Sequence, residues 1–541
     1  MENKENREAH FWAEKIADDV INREKFHFTG GKIPKMKKWT VKSSSSLSGV
    51  LHIGRLSDLI RGEAVTRALQ EKGFPAEFIY VTEDMDPLRK VPEGVPNEFE
   101  KYIGFPVSDV PDPEGCHESY AKHFLEKFLN VVNEFMLIEP KIYSMREEYK
   151  KGNFTEQIKI LMKHADEVKE IIDSQKDTKT ESSWVPFKPI CENCGNLQTT
   201  EITKVEGDKV HYVCKDYKFE KFTAKGCNYE GATDLNKPSG KLAWKSEWAA
   251  QWMRWNVCSE GAGKEYESKN SAFWVNAEIC EKILKFPKPE PIFYEHLLID
   301  GVKMSASVGN VVYPADWLKV SRPETLKYLY MKRINKARSF SWKEVPLLEL
   351  ELDRSLLADV SDKEGAKMRK VADYSSVKGR KLIPLKADYS TISFLTQTIP
   401  DGKKVIEKLK DLGKISGKES KEEMNFITER IDKSREWIQN FAPEEARFTI
   451  LETVSDEVKK KLKDNEKKAL SQIPGILKEG ISEEELGKKL FDIANENKIP
   501  PKEFFKVSYL VLLNRERGPK LATLILGIGI DRSKAIFGQL K

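Results

Sequence analysis

His52 and Gly54 stand at the expected entrance of a helix, directly after a Ser/Gly loop running from Ser43 to Gly49. Such an arrangement is built to meet phosphate: free backbone amides and the positive end of the helix dipole favour an anion, and glycine lets a nucleotide approach closely. Far along the chain, Lys303-Met304-Ser305-Ala306-Ser307-Val308-Gly309-Asn310 offers a lysine, two hydroxyls and a Gly-Asn end, as a loop gripping a polyphosphate would. Two further clusters suit metal. Cys191-x-x-Cys194-Gly195 is a zinc knuckle, because thiolates at that spacing let one tight turn present both sulfurs. Its second half is looser: Cys214 and Cys227 have twelve residues between them, so Lys215 to Gly226 must bulge outward for a four-cysteine site, and His211 is an alternative ligand. Asp112, Cys116, His117 and His123 place four zinc-compatible side chains within twelve residues, in a chain with only eight histidines. The other reading of that stretch is a Pro-rich loop with solvent-facing histidines. With four protein ligands each, both zinc sites would be structural.

The elements that must position these groups can be read from spacing. Trp39-Thr40-Val41-Lys42-Ser43 predicts a short strand running into the Ser/Gly loop. Leu56, Leu59, Ile60, Ala64, Ala68 and Leu69 recur at helical spacing, Gly73 stops that helix, and Phe78-Ile79-Tyr80-Val81 predicts the next strand. Strand, loop, helix and strand open a parallel α/β sheet. The Cys/Gly-rich stretches 106–123 and 184–235 read as metal-organised inserts, with an amphipathic helical pattern over 118–180 between them. Strand-like segments such as Pro291 to Ile299 put the second half of the sheet in 236–340. After Trp342 the composition turns to Leu, Lys and Glu without cysteine, which predicts a helical domain. There Ser482-Glu483-Glu484-Glu485 predicts a capping box, the serine hydroxyl accepting a first-turn amide and Glu485 reaching back.

Length and composition bound what this architecture can be. The 541 residues are 33% charged, 39% hydrophobic and 10% aromatic, enough apolar surface for cores in about three or four domains and too much for a disordered chain. No stretch approaches the roughly 18 uncharged apolar residues of a membrane span, and the first residues carry no apolar segment of an export signal. A cytoplasmic protein is expected, whose seven cysteines serve as thiols and metal ligands rather than disulfides. The net charge of +5 is uneven: residues 1–340 hold 52 basic against 52 acidic side chains, and 341–541 hold 39 against 34. That excess is a modest pointer to a polyanionic partner.

His52-Ile53-Gly54 followed by Lys303-Met304-Ser305, in that order, resembles the paired nucleotide motifs of class I aminoacyl-tRNA synthetases. Ser48 to Gly54, Glu83 to Pro92, Pro111 to Cys116, Lys241 to Trp248 and Gly263-Lys264-Glu265-Tyr266 resemble class I lysyl-tRNA synthetase, the form typical of archaea. The resemblance covers most of residues 8–345 and, more thinly, Gly518-Pro519-Lys520-Leu521. It implies an α/β fold with a Rossmann-like catalytic core in two halves, 1–105 and 236–345. Between them lies a zinc-binding insertion, 106–235, that guides the tRNA acceptor end, and 346–541 is an all-α anticodon-binding domain. It implies a two-step reaction: lysine and ATP give lysyl-adenylate and pyrophosphate, and the adenylate passes lysine to the terminal ribose of tRNA(Lys).

By the same resemblance His52 donates to phosphate oxygens, Gly54 leaves room for adenine, and Ser48 and Gly49 belong to the ATP loop. Lys303, Ser305 and Ser307 hold the leaving pyrophosphate with Mg²⁺. Asp112, Cys116, His117 and His123 match the family's Asp/Cys/His/His zinc. Ser44 and Ser46 fall where the family's loop touches the amino acid. The substrate ammonium needs an acid and an apolar wall; Glu83, Asp84 and Glu247 are the acidic candidates, Trp248 and Tyr294 the walls. The chain departs from the pattern in several places. Ser44, Leu47, Arg55 and Tyr266 replace the usual residues, and Ala306 and Val308 leave the phosphate loop a single lysine, for which Lys264 or Arg55 are possible substitutes. The alternatives are a glutamyl enzyme, disfavoured by three acids where a basic pocket is needed, and a non-catalytic tRNA-binding paralogue.

Overall fold

The computed structural model describes residues 11–540 apart from 37, 48–50, 93, 176–178 and 305–309. Ser48, Gly49, Ser305 and Ser307 therefore lie outside the described residues. The chain forms two compact units, one of Met1–Asp316, Leu326–Phe340 and Asp359–Lys381, the other of Trp317–Thr325, Ser341–Ala358 and Leu382–Lys541.

The first unit is built on five parallel strands, β1 (Trp39–Ser45), β2 (Ala76–Thr82), β3 (Lys141–Ser144), β4 (Val257–Gly263) and β5 (Glu290–Tyr294), in the order β5-β4-β1-β2-β3. All neighbours pair in parallel. The order reverses between β1 and β4, and in such sheets a ligand crevice opens there, outside the carboxyl ends of the strands. Lys42 of β1 faces Glu260 of β4 at 2.5 Å, both fully buried, and the Trp252 indole donates to the same carboxylate. A buried pair satisfied on both sides in this way fixes strand register. Helix α1 (Ile53–Glu71) joins β1 to β2 as its apolar spacing predicts, ending just before Gly73 with its left-handed φ of 84°.

The helical pattern over 118–180 is interrupted by β3. Helices Tyr120–Val132, Met145–Lys150, Thr155–Lys163 and Ala165–Asp173 surround a four-residue strand at the sheet edge, two of whose residues are exposed. Four residues are too few for a period-2 pattern to stand out against helical periodicity on both sides. The expected insertion 106–235 thus contains a strand of the central sheet. Pro291 to Ile299 is likewise divided: after β5, Leu297–Ile299 leaves for a small sheet, pairing with Val302–Lys303 through a turn whose two residues, Asp300 and Gly301, both have positive φ. That hairpin carries Lys303. The Cys-rich module has three antiparallel strands, Thr200–Glu206, Lys209–Cys214 and Glu230–Asp234, and the residues between Cys214 and Cys227 fold into a short hairpin, Tyr217–Lys218 with Thr223–Ala224.

The second unit is helical throughout its named elements, around a core running from Leu385 to Leu540. Trp437 and Phe504 are buried, as core residues rather than exposed stacking surfaces. Helix Lys363–Asp373, within the stretch expected to be the C-terminal domain, belongs to the first unit. The Ser482 hydroxyl accepts the Glu485 amide at 3.1 Å, but Glu485 does not reach back; its carboxylate lies between Lys478 and Lys489 at 3.3 and 3.1 Å, where two cations outcompete a single amide. Arg322 and Arg430 both pair with Glu349 and Asp353, all four buried. Burial alone would raise the Glu349 carboxyl, yet the two guanidinium groups hold it down to about 2. Arg430→Met leaves two buried acids with one cation and is expected to destabilise the protein by about 3–5 kcal/mol, read from denaturant unfolding. No described helix is long and apolar enough to cross a membrane.

Candidate active site

A cavity of about 570 Å³ opens at the carboxyl ends of β1, β4 and β5. Ser44 and Ser46 reach it from the end of β1, Glu83 from the residue following β2, Gly261 to Gly263 from β4 and Tyr294 from β5. His52 and Gly54 enter at the start of α1, Lys303 from the small sheet, and Trp248 from helix α2 (Trp244–Trp255). The two motifs far apart in sequence thus share one cavity with five of the seven residues expected to hold lysine.

His52 is the N-cap of α1, and its Nδ1 accepts the Gly54 amide at 3.1 Å. Burial, reinforced by the Arg55 charge, lowers its pKa to about 4. The ring is therefore neutral, and with Nδ1 accepting, the proton resides on Nε2, which makes His52 a hydrogen-bond donor rather than a cation. Gly54 allows this fold-back: a Cβ there would lie 2.8 Å from the imidazole and 2.9 Å from the Met304 methyl. Lys303 Nζ stands 3.5 Å from His296 Nε2. Of the two cations that could replace the missing lysine, Arg55 lines the cavity and has no ion pair among the described residues, whereas Lys264 lies outside it, paired with Glu295.

The three acidic candidates separate cleanly. Asp84 accepts the Ser144 hydroxyl at 2.5 Å and the Arg146 amide at 2.8 Å, so its carboxylate caps helix Met145–Lys150 and does not line the cavity. Glu247 is occupied by the Tyr149 hydroxyl at 2.5 Å and Lys241 at 2.9 Å, and it too is absent from the wall. Both expectations are corrected: each acid is spent on a protein partner. Glu83 differs. It lines the cavity, is buried, and accepts only the Gln251 amide at 3.1 and 3.2 Å, with no cation in contact among the described residues. Burial pushes its pKa up to about 8; Lys42 works against this, and Glu247 and Asp86 add to it. A buried acid in that condition is a socket for a cation.

Trp248 forms an apolar wall, stacked on Trp244 with centroids 5.2 Å apart and edge-on to Tyr266 at 5.4 Å. Tyr294 is held from behind by Arg61, whose guanidinium lies 4.3 Å from its ring centroid. Asp58, Asp86, Arg89, Gln251 and Trp244 were not anticipated. One signal could have found two of them: Trp244, Trp248 and Gln251 recur at helical spacing and form one face of α2.

The four-cysteine cluster is closed. Cys191 and Cys227 sulfurs are 3.6 Å apart, Cys194 and Cys214 3.7 Å, and all four ligand atoms lie within 4.8 Å of one another. His211 instead meets Glu206 at 3.3 Å. Asp112, Cys116, His117 and His123 converge equally: the Cys116 sulfur is 3.0 and 3.3 Å from the two Nδ1 atoms, and Asp112 is 3.0 Å from His123. Four thiolates in one cluster, and a thiolate, two imidazoles and a carboxylate in the other, at tetrahedral edge lengths, suit zinc in both places. Cys191→Ser is expected to lower bound zinc by one equivalent, measured by metal analysis; a zinc content equal to wild type would mean that Cys191 holds no metal.

A doubly wound sheet whose switch point carries a neutral histidine at a helix entrance, a lysine opposite and a buried acid defines a nucleotide-using enzyme core. Residues 10–378 match the family described as tRNA synthetases class I (K), and the chain belongs to that family. It is 31% identical to the lysine–tRNA ligase of Pyrococcus horikoshii, over 97% of this chain and 98% of that protein. To the lysine–tRNA ligase of Methanosphaera stadtmanae it is 27% identical, over 96% and 97%. Among solved structures, a glutamate tRNA ligase from Elizabethkingia meningosepticum aligns over 93% of this chain and 99% of its own, at 12% identity and a TM-score of 0.41.

Proposed function

We propose that the chain is a lysine–tRNA ligase, activating lysine with ATP to lysyl-adenylate plus pyrophosphate and transferring lysine to the terminal adenosine of tRNA(Lys). Glu83 is the observation that carries the substrate: a buried acid in the cavity wall with no cation in contact among the described residues suits an ammonium and offers no positive charge to the carboxylate that a glutamyl enzyme must seat. Ser44 and Ser46 hydrogen-bond the amino acid, and Trp248 and Tyr294 flank its methylenes.

In the first step the lysine carboxylate attacks the α-phosphate, and charge grows on the phosphate oxygens and on the departing pyrophosphate. Chemistry of this kind needs positioning and charge stabilisation more than a base. His52 donates from Nε2 to a phosphate oxygen, Gly54 leaves room for adenine, and Ser48 and Gly49 complete the loop. Lys303, Ser305 and Ser307 grip the pyrophosphate, Arg55 adds the cation that Val308 does not supply, and Mg²⁺ arriving with ATP neutralises further charge. The two zinc sites brace the insertion around the acceptor end, and the helical second unit reads the anticodon. The setting is cytoplasmic.

Amino-acid-dependent ATP–pyrophosphate exchange across the twenty amino acids, with and without tRNA, tests this reading. Exchange with lysine alone is expected. Exchange with another amino acid would overturn the substrate, and none under either condition, in zinc-loaded protein, would favour the non-catalytic paralogue.

A further inference from the structure

The backbone of Glu83 is pinned where β2 ends, its amide donating to the Ser45 carbonyl of β1 at 3.0 Å. Its carboxylate is held by α2. Trp248 and Gln251 stand three positions apart on that helix and so share a face. The first walls the cavity; the second is fully buried outside the wall, with its Nε2 3.1 and 3.2 Å from the two Glu83 oxygens and 3.5 Å from the Met145 sulfur.

The charged groups that act on Glu83 are committed to other partners. Lys42, on β1, pairs with Glu260. Lys241, on strand Gly240–Leu242, pairs with Asp86 and with Glu247, each at 2.9 Å, and Glu247 also accepts the Tyr149 hydroxyl. The side chain in contact with the Glu83 carboxylate is therefore an uncharged amide. That amide is itself only half satisfied: the Gln251 oxygen is buried and has no hydrogen-bond partner among the described residues. Burying an unsatisfied amide oxygen costs stability, so packing alone does not account for a glutamine here.

We propose that Gln251 is a positioning residue of the amino-acid pocket and a determinant of its charge specificity: its amide aims the Glu83 carboxylate into the cavity, and its neutrality leaves that charge for the substrate ammonium. The inference rests on the reading of Glu83 as the partner of lysine. An amide supports the ionised acid through a hydrogen bond to charge yet supplies no counter-ion. A guanidinium or ammonium in the same place would neutralise Glu83 from within and remove the pocket's preference for a cation.

The test is lysine-dependent pyrophosphate exchange by the full, zinc-loaded chain at saturating ATP, followed from about pH 6 to pH 9. Gln251→Met keeps the length of the side chain and removes the donor. Its KM for lysine is expected to rise by about tenfold or more, the scale of one lost hydrogen bond to a charged group, with kcat and the KM for ATP changing far less. Losing a donor to the ionised form raises the Glu83 carboxyl further, so lysine affinity should go on rising with pH past the wild-type plateau near 8. Gln251→Lys instead brings a cation to the acid. The KM for lysine should then rise by about a hundredfold and the pH profile should flatten, because Glu83 is ionised throughout. A Gln251→Met enzyme with the wild-type KM and pH profile would overturn the proposal, and so would a Gln251→Lys enzyme that binds lysine like the wild type. Glu83→Gln in the same assay separates this proposal from the reading beneath it. If Glu83→Gln raises the KM and Gln251→Met does not, Glu83 keeps the substrate and Gln251 loses its role; if Glu83→Gln is silent, the reading of Glu83 itself falls.

Discussion

Glu83→Gln is expected to raise the KM for lysine by about a hundredfold or more while leaving the KM for ATP near wild type. The magnitude follows from removing one partner of a buried charge pair, about 3–5 kcal/mol, since the ammonium would then be enclosed without a counter-charge. The substitution keeps the size and hydrogen-bonding capacity of the side chain, so lost packing does not explain the effect. Proton linkage supplies an independent signature. In the free protein burial holds Glu83 near 8, so below that pH its carboxyl carries a proton, and an arriving ammonium must displace it. Lysine affinity should therefore rise by up to tenfold per pH unit as pH increases toward about 8 and level off above it, with one proton released on binding. Glu83→Gln should flatten that profile. Stability runs the other way: a carboxyl raised in the folded state contributes fully below its unfolded value and loses that contribution as pH rises through about 8. The wild type should accordingly lose Tm relative to Glu83→Gln between pH 5 and 9. An unchanged KM for lysine with an unchanged pH slope would remove Glu83 from the substrate.

The contrast between Glu83, Asp84 and Glu247 shows where sequence reasoning stops. All three are acids in stretches resembling one family, and nothing local distinguishes them. What separates them is distant: Ser144 and Arg146 engage Asp84, while Tyr149 and Lys241 engage Glu247, and only Glu83 is left facing the cavity. Such pairings depend on the tertiary path of the chain. The start of the sheet was legible because β1, the Ser/Gly loop, α1 and its Gly73 stop follow local periodicity and turn chemistry. The edge strand β3 was not, since four half-exposed residues between helices carry no pattern of their own. The cysteine cluster was legible by residue type, and the excursion between Cys214 and Cys227 was anticipated as a bulge; that it forms a hairpin follows only from the pairing of Tyr217–Lys218 with Thr223–Ala224.

His52→Ala is expected to slow adenylate formation by about a hundredfold to a thousandfold, the scale of losing one preorganised donor at a centre of developing charge. The geometry makes the donor preorganised. Nδ1 is tied to the Gly54 amide, so the ring is oriented before ATP arrives and its Nε2 proton is available without rearrangement. Its neutrality matters as much as its position, because with a pKa near 4 the imidazole keeps one protonation state across the working range. The rate should then show no inflection from His52 above pH 5, and the loss in His52→Ala should be the same at pH 6 and pH 9. Gly54→Ala provides the complementary variant: its Cβ would press on the imidazole and on Met304, turning the donor aside without removing it. If both substitutions act through that one hydrogen bond, the double variant should be little slower than His52→Ala, whereas independent roles would multiply. Lysine-dependent pyrophosphate exchange reads the chemical step and tRNA binding serves as the control, expected near wild type in all three. An exchange rate that survives His52→Ala would place the stabilising charge elsewhere in the cavity, on Lys303 and Arg55.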